Sequence, residues 1–165
     1  SRDGVSLTVA NTRRNLPEAL SPQIKSTNLL NNILAKRESI AAGTFDSLFL
    51  NWKDELTECT VSNLFFISGK TLHTPALDCG ILDGITRTIV MTLAQEEGVP
   101  VREGHYHLAD LQRAEECFLT NTSMEIMPVN RVDSFAIGDG RPGSLTRRLQ
   151  TRFADSRTRF LEPPS

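Results

Sequence analysis

Three separated parts of the chain carry residue types that could do chemistry together. Lys25 lies in Ile24-Lys25-Ser26-Thr27-Asn28, between Pro22 and the apolar pair Leu29-Leu30. A loop lysine is ordinarily a solvated charge. These apolar neighbours argue for an inward side chain, and burial lowers an ammonium pKa until the amine is a usable nucleophile. Glu58 lies in Thr57-Glu58-Cys59-Thr60-Val61-Ser62-Asn63. It is either an edge glutamate facing water or a buried carboxylate, which is costly unless it is partnered. The third part is a pair of anion-suited loops. At Gly84-Ile85-Thr86 a loop with two glycines, Gly80 and Gly84, runs into an amphipathic segment. The first amides of a helix there have no intrahelical acceptor, and Thr86 adds a hydroxyl. Thr120-Asn121-Thr122-Ser123 is a second, hydroxyl-rich turn, of a kind also common in solvent.

Taken together, these parts match the needs of one cofactor. Pyridoxal 5′-phosphate requires a lysine for its internal aldimine, an acid beside its ring nitrogen, and amides and hydroxyls around its phosphate. Lys25, Glu58 and the two loops supply those chemical types.

The elements that must position these residues follow from periodicity and turn chemistry. Val5-Ser6-Leu7-Thr8-Val9 alternates and predicts a strand starting close to the first residue. A polar loop with Pro17 and Pro22 follows. Leu29, Leu30, Ile33, Leu34, Arg37 and Ile40 recur at helical spacing as far as Gly43, with Ser26 or Thr27 available as the cap. Strands are predicted over 47–51 and 55–58, and a hairpin over 63–68 and 71–74 turning at Gly69-Lys70. A helix is predicted over 84–97, ending at Gly98. A strand over 99–102, a short helix over 108–114 and a strand over 117–120 come next. A hairpin of 126–129 with 134–137 leads to a last helix from about Pro142, with an arginine-bearing outer face. The tally is mixed α+β, with hairpins and helices interleaved and no run of βαβ units.

Composition bounds the rest. The 165 residues are 39% apolar and 23% charged, enough for one sizeable core. A net charge of −2 gives no reason to expect nucleic-acid or membrane-surface binding, and no apolar run approaches the roughly 20 residues of a membrane span. Cys59, Cys79 and Cys117 are an odd number without metal-ligand spacing, so a reducing, cytoplasmic compartment is expected. His73 reads as structural. His105 and His107 flank Tyr106 but have no third ligand nearby in the sequence, and no metal is expected.

The sequence resembles the class-IV aminotransferases, the fold-type IV pyridoxal-phosphate enzymes. This family includes branched-chain and D-amino-acid aminotransferases and 4-amino-4-deoxychorismate lyases. The likeness covers essentially the whole chain. Ile24-Lys25-Ser26-Thr27-Asn28-Leu29-Leu30-Asn31-Asn32 resembles the cofactor-lysine segment. Residues 58–65, then Thr74-Pro75, Ile81-Leu82 and Gly84-Ile85-Thr86-Arg87, resemble the family signature. The resemblance implies an α+β domain whose hairpins form a partly closed sheet, or pseudo-barrel, flanked by helices. It implies that Lys25 holds the cofactor aldimine and shuttles a proton. Glu58 pairs with the pyridinium, Leu82 packs against the ring, and Ile85, Thr86, Thr122 and Ser123 bind the phosphate. Asn63 is expected to brace the loop after Glu58.

The family also has a smaller N-terminal domain ahead of the strand at Val5, which supplies an arginine to the phosphate and much of the substrate pocket. This chain shows none, so residues 1–160 are expected to be the cofactor-binding C-terminal domain, with a frayed tail over 161–165. Alone it is expected to be weakly active or inactive, and as an intact protein to be a homodimer. Arg13-Arg14 reads as solvated rather than as a stand-in for the missing arginine. The segment after Glu58 and that of 120–128 resemble the D-amino-acid aminotransferases and the lyases more than the branched-chain enzymes. Amino transfer between an amino acid and a 2-oxo acid is the expected reaction. Elimination of pyruvate from aminodeoxychorismate is the alternative.

Overall fold

The computed structural model describes residues 3–16, 29–157 and 159. Within it the alternation of the first strand, β1 (Val5–Val9), puts Leu7 in the core. Its neighbours are far away in sequence. β1 lies parallel to β2 (Asp46–Leu50) on one side and to β8 (Glu125–Val132) on the other. From β2 the sheet continues antiparallel to β3 (Leu56–Cys59), and from β8 to β7 (Glu116–Asn121) and β4 (Asn63–Ser68). One antiparallel pairing, Glu58 opposite Asn63, joins β3 to β4 and closes a six-stranded mixed barrel. Closure removes the edges that an open sheet would leave unpaired. β5 (Thr71–Pro75) and β6 (Val101–Gly104) extend the sheet beyond β4, and β9 (Phe135–Ala136) pairs with β8. The hairpin between β4 and β5 turns at Gly69 and Lys70, both with positive φ, as a two-residue turn favours.

Among the described residues four α-helices surround the barrel: α1 (Leu30–Ala42), α2 (Ile85–Glu96), α3 (Leu108–Gln112) and α4 (Ser144–Asp155). The pleat sorts the strand residues into two cores. Leu7, Leu48, Leu56, Leu64, Phe66 and Leu119 are among those filling the barrel. On its outer face Phe65 stacks on Phe118 at 5.1 Å, under Val90 and Leu93 of α2 and Leu149 and Phe153 of α4. No helix of the described residues is long and apolar enough to cross a membrane.

Four expectations change. The strand predicted over 99–102 runs two residues later, because Val99 turns into the outer core while Val101 takes its place opposite Leu72. The hydroxyl-rich turn at 122–124 joins β7 to the long strand β8, and the hairpin predicted after it forms further along than expected, with Arg131 opposite Ala136 and Val132 opposite Phe135 of the two-residue β9. The two crossovers β1–α1–β2 and β5–α2–β6 are parallel units that local periodicity did not predict. Finally, α1 begins at Leu30 behind Leu29, which makes no side-chain cap. Ser26 and Thr27 lie outside the described residues, as does the tail 161–165.

The face that α1 turns inward is the small and polar one. Ala35 and Ser39 are buried, and the Ala35 carbonyl accepts from the Ser47 hydroxyl at 2.7 Å. Leu29, Leu30, Ile33, Leu34 and Ile40 are exposed.

Glu116 holds α4 in place. Its carboxylate accepts from the Leu145 amide at 3.1 Å and from the Thr146 amide and hydroxyl at 2.7 and 2.6 Å. It therefore serves as the N-terminal cap that Gly143 cannot provide. Glu116→Ala is expected to cost about 1–2 kcal/mol. The readout is a lower urea midpoint with an unchanged denaturant slope.

Candidate active site

Glu58 stands where the barrel closes, and only 5% of it is exposed. The sequence alone left it as either an edge residue or a buried acid. The second reading holds, and its partners are specific. Arg14 donates to Oε1 at 2.6 Å, the Leu82 amide donates to Oε2 at 3.1 Å, and Asn63 Nδ2 donates to the same oxygen at 3.2 Å. A carboxylate offers about four lone-pair sites, so one, on Oε1, is left for a further donor. Burial pushes the Glu58 carboxyl up to about 7, against the opposing pull of Arg14, the Leu82 amide and the charge of Arg87.

Arg14 departs from expectation. Instead of lying in solvent it crosses the Phe49 ring at 5.2 Å and donates to Glu58, the Gly80 carbonyl and Asn32 Oδ1. Asn32 in turn donates to the Thr60 carbonyl, so the first turn of α1 is tied to the turn after Glu58. Arg13 does behave as a solvated side chain, in an exposed pair with Asp54. The only sequence signal for Arg14 was its excess charge in a loop, and that does not reveal a partner 44 residues away.

Asn63 braces as expected, and does more. Besides Glu58, its Nδ2 donates to the Leu82 carbonyl at 2.8 Å. Leu82 is thus held by its amide to Glu58 and by its carbonyl to Asn63. Two residues on, Gly84 caps α2, and the first intrahelical bond is Thr88 N–H to the Gly84 carbonyl. The amides of Ile85, Thr86 and Arg87 therefore precede the ladder, at the end of the helix that favours an anion. Thr86 is buried, whereas Ile85 is 68% exposed, so what Ile85 presents at this helix start is its backbone amide. Arg87 fixes this end of α2 by donating to Asp83, Glu103 and the Pro75 carbonyl.

Thr122 and Ser123 are exposed on the β7–β8 turn. Asn121 shapes that turn by accepting from the amides of Ser123 and Met124 at 3.0 and 2.7 Å. It also reaches the Val61 carbonyl, which docks this turn beside the one after Glu58. Lys25 lies outside the described residues.

Two further features were not legible in the sequence. The hydroxyls of Ser62 and Thr120 are buried and have no hydrogen-bond partner among the described residues. Ser62 precedes Asn63 in the chain, and Thr120 on β7 is the cross-strand partner of Asn63 on β4. The backbone at Gly84 also passes so close to Asn63 that an added Cβ would clash with Oδ1. Gly84→Ala must therefore displace Asn63 from both Glu58 and Leu82. We expect a loss of about 1–3 kcal/mol, read from thermal unfolding.

A closed mixed barrel with a buried acid and an anion-suited helix start on its outer wall defines an architecture found in solved enzymes. It superposes on the branched-chain amino acid aminotransferase of Thermobaculum terrenum, solved in its PLP-bound holo form, at a TM-score of 0.89 and 33% identity. The match covers 93% of this chain and 51% of that one. The class IV amino-transferase family model matches residues 1–132, and the chain belongs to that family.

Individual relatives differ in the activities they are named for. A putative branched-chain-amino-acid aminotransferase of Methanocaldococcus jannaschii is 38% identical over 158 residues, covering 96% of this chain and 55% of that protein. A D-alanine aminotransferase of Listeria monocytogenes is 38% identical over 136 residues, with coverage of 82% and 47%. An aminodeoxychorismate lyase of Bacillus subtilis is 37% identical over 142 residues, with coverage of 86% and 48%. The chain thus spans about half the length of the curated relatives it matches.

The residues present fit pyridoxal phosphate. Glu58 keeps one acceptor position open, the start of α2 presents free amides, and buried hydroxyls lie on either side of Asn63 without partners among the described residues.

Proposed function

We propose that residues 1–160 form the pyridoxal-phosphate-binding domain of an aminotransferase working between an amino acid, D- or branched-chain, and a 2-oxo acid. The observation that carries this reading is the Glu58 carboxylate, buried, held by three donors and left with one open acceptor position. When bound, the cofactor supplies a carbonyl that accepts an amino group and an electron sink for the substrate α-carbon. The chain's residues supply the rest. Glu58 holds a proton on the ring nitrogen, and Leu82, anchored at both its amide and its carbonyl, packs against the ring. The amides of Ile85 and Thr86 with the hydroxyls of Thr86, Thr122 and Ser123 bind the phosphate. The Lys25 amine would carry the cofactor and would move a proton between the substrate α-carbon and the cofactor C4′ atom.

At about half the length of its relatives, the chain alone is expected to turn over weakly or not at all. For the intact protein we propose a homodimer, supported by the apolar stripe that α1 exposes at Leu30, Ile33 and Leu34. Three free buried cysteines support a reducing, cytoplasmic setting.

The second reading, pyruvate elimination from aminodeoxychorismate, is favoured by the likeness to the lyase of Bacillus subtilis. One assay separates the two. The intact protein is incubated with aminodeoxychorismate alone, and separately with D-alanine or a branched-chain amino acid plus 2-oxoglutarate. Turnover that requires the oxo acid supports transfer. Pyruvate formed from the first substrate without an oxo acid overturns it. The lysine is tested directly, since borohydride should fix the cofactor onto Lys25. Labelling that persists in Lys25→Ala refutes that role.

A further inference from the structure

Behind the loop that carries Leu82, three side chains from distant parts of the chain converge. Glu55 and Cys79 are buried, and His105 closes the group from the surface. His105 Nδ1 lies 3.2 Å from Glu55 Oε1 and 3.5 Å from Cys79 Sγ, and all three ligand atoms lie within 4.8 Å of one another. We propose that Glu55, Cys79 and His105 bind a divalent cation of the zinc class, with a fourth position open to water on the His105 side.

The spacing favours a tetrahedral ion. Zinc bonds of about 2.3 Å to sulfur and about 2.0–2.2 Å to nitrogen and oxygen imply ligand–ligand edges of roughly 3.5 Å for S to N and roughly 3.4 Å for N to O. Both observed edges are close to those values. One thiolate, one carboxylate and one imidazole suit a borderline-soft metal and disfavour magnesium or calcium, which take oxygen ligands. The two anionic ligands neutralise a divalent charge.

The surrounding groups are arranged as outer support for such a site. Asp78 Oδ1 lies 3.3 Å from His105 Nε2, which orients the ring with Nδ1 toward the ion. Asn51 Nδ2 donates to the other Glu55 oxygen at 2.8 Å and to the Cys79 carbonyl at 3.2 Å. Without an ion, one ring nitrogen would have to serve both the carboxylate and the thiol. Among the described residues, Cys79 Sγ otherwise has only a long contact of 3.7 Å to the Gly104 carbonyl. As the metal–sulfur bond forms, the S–H bond breaks and its proton leaves to solvent, with no change of oxidation state.

His107, the other histidine flanking Tyr106, is not part of this group. It caps α3, with Nδ1 3.0 Å from the Asp54 carbonyl.

Cobalt(II) serves as the probe. Chelator-treated protein titrated with Co2+ should bind one equivalent, with a thiolate charge-transfer band and the strong visible bands of a tetrahedral ion, both displaced by Zn2+. The exposed His105→Gln should weaken binding by roughly 100-fold, and Asp78→Asn by about tenfold. Cys79→Ser should abolish the charge-transfer band with its circular dichroism unchanged, while Cys59→Ser retains it. Absence of a thiolate band at saturating Co2+ overturns the proposal, as does a band that survives unchanged in His105→Gln or is lost in Cys59→Ser.

Discussion

Replacing Arg14 by methionine is expected to destabilise the protein by about 3–5 kcal/mol at pH 8 and by clearly less at pH 5. The large value reflects what is left behind. Without the guanidinium the Glu58 carboxylate stays buried with only the Leu82 amide and Asn63 as donors, and the Gly80 carbonyl and Asn32 lose a donor as well. The pH dependence follows from the direction of the Glu58 shift, whose carboxyl is raised from 4.5 to about 7 in the folded protein. Between those values the folded chain holds a proton that the unfolded chain has released, so stability falls as pH rises across that window and is level above it. In the wild type this amounts to a loss on the order of 3 kcal/mol. Arg14 is one of the groups that limits the rise, so in Arg14→Met the decline should begin at the same pH and extend further into the alkaline range. Urea midpoints at a series of pH values measure both curves. A variant whose midpoints track the wild type at every pH would show that Arg14 does not hold the acid.

The same pair shows what was legible in the sequence. Glu58, the Gly84 junction and nearly every strand could be read locally, because alternation and turn glycines report on neighbours in the chain. Gly43 ending α1 and Gly69-Lys70 turning a hairpin are such cases. Barrel closure was not legible, since it depends on parallel pairings of β1 with β2 and β8 and on a single Glu58–Asn63 register. Arg14 escaped for a related reason, because a charge in a polar loop looks solvated until the fold brings its partner. Periodicity marked the apolar face of α1 correctly as a stripe. It could not tell that Ala35 and Ser39 would face the barrel while Leu30 and Ile33 face outward. Glu55, Cys79 and His105 meet only because β3, the 3₁₀ turn Leu77–Cys79 and the end of β6 meet.

In the intact protein, Glu58→Gln is expected to lower the proposed amino transfer by about 10²–10³, with the cofactor still fixed by borohydride to the proposed Lys25. Glutamine has the right shape but the wrong donors. The site presents Arg14 to one oxygen and both the Leu82 amide and Asn63 to the other. A glutamine that turns its oxygen toward Leu82 and Asn63 must point its NH₂ at the guanidinium, and the reverse orientation opposes two donors. Either way the negative charge that would keep a proton on the ring nitrogen is gone, and the group proposed to face that nitrogen no longer answers it. Aspartate separates charge from shape. Glu58→Asp keeps the carboxylate but is one methylene short, so it should recover at least about tenfold over the glutamine variant if charge is the controlling property. Single-turnover kinetics, with cofactor occupancy measured by absorbance, distinguishes slow chemistry from poor loading. Full activity in Glu58→Gln would remove Glu58 from the ring nitrogen and leave it a structural partner of Arg14.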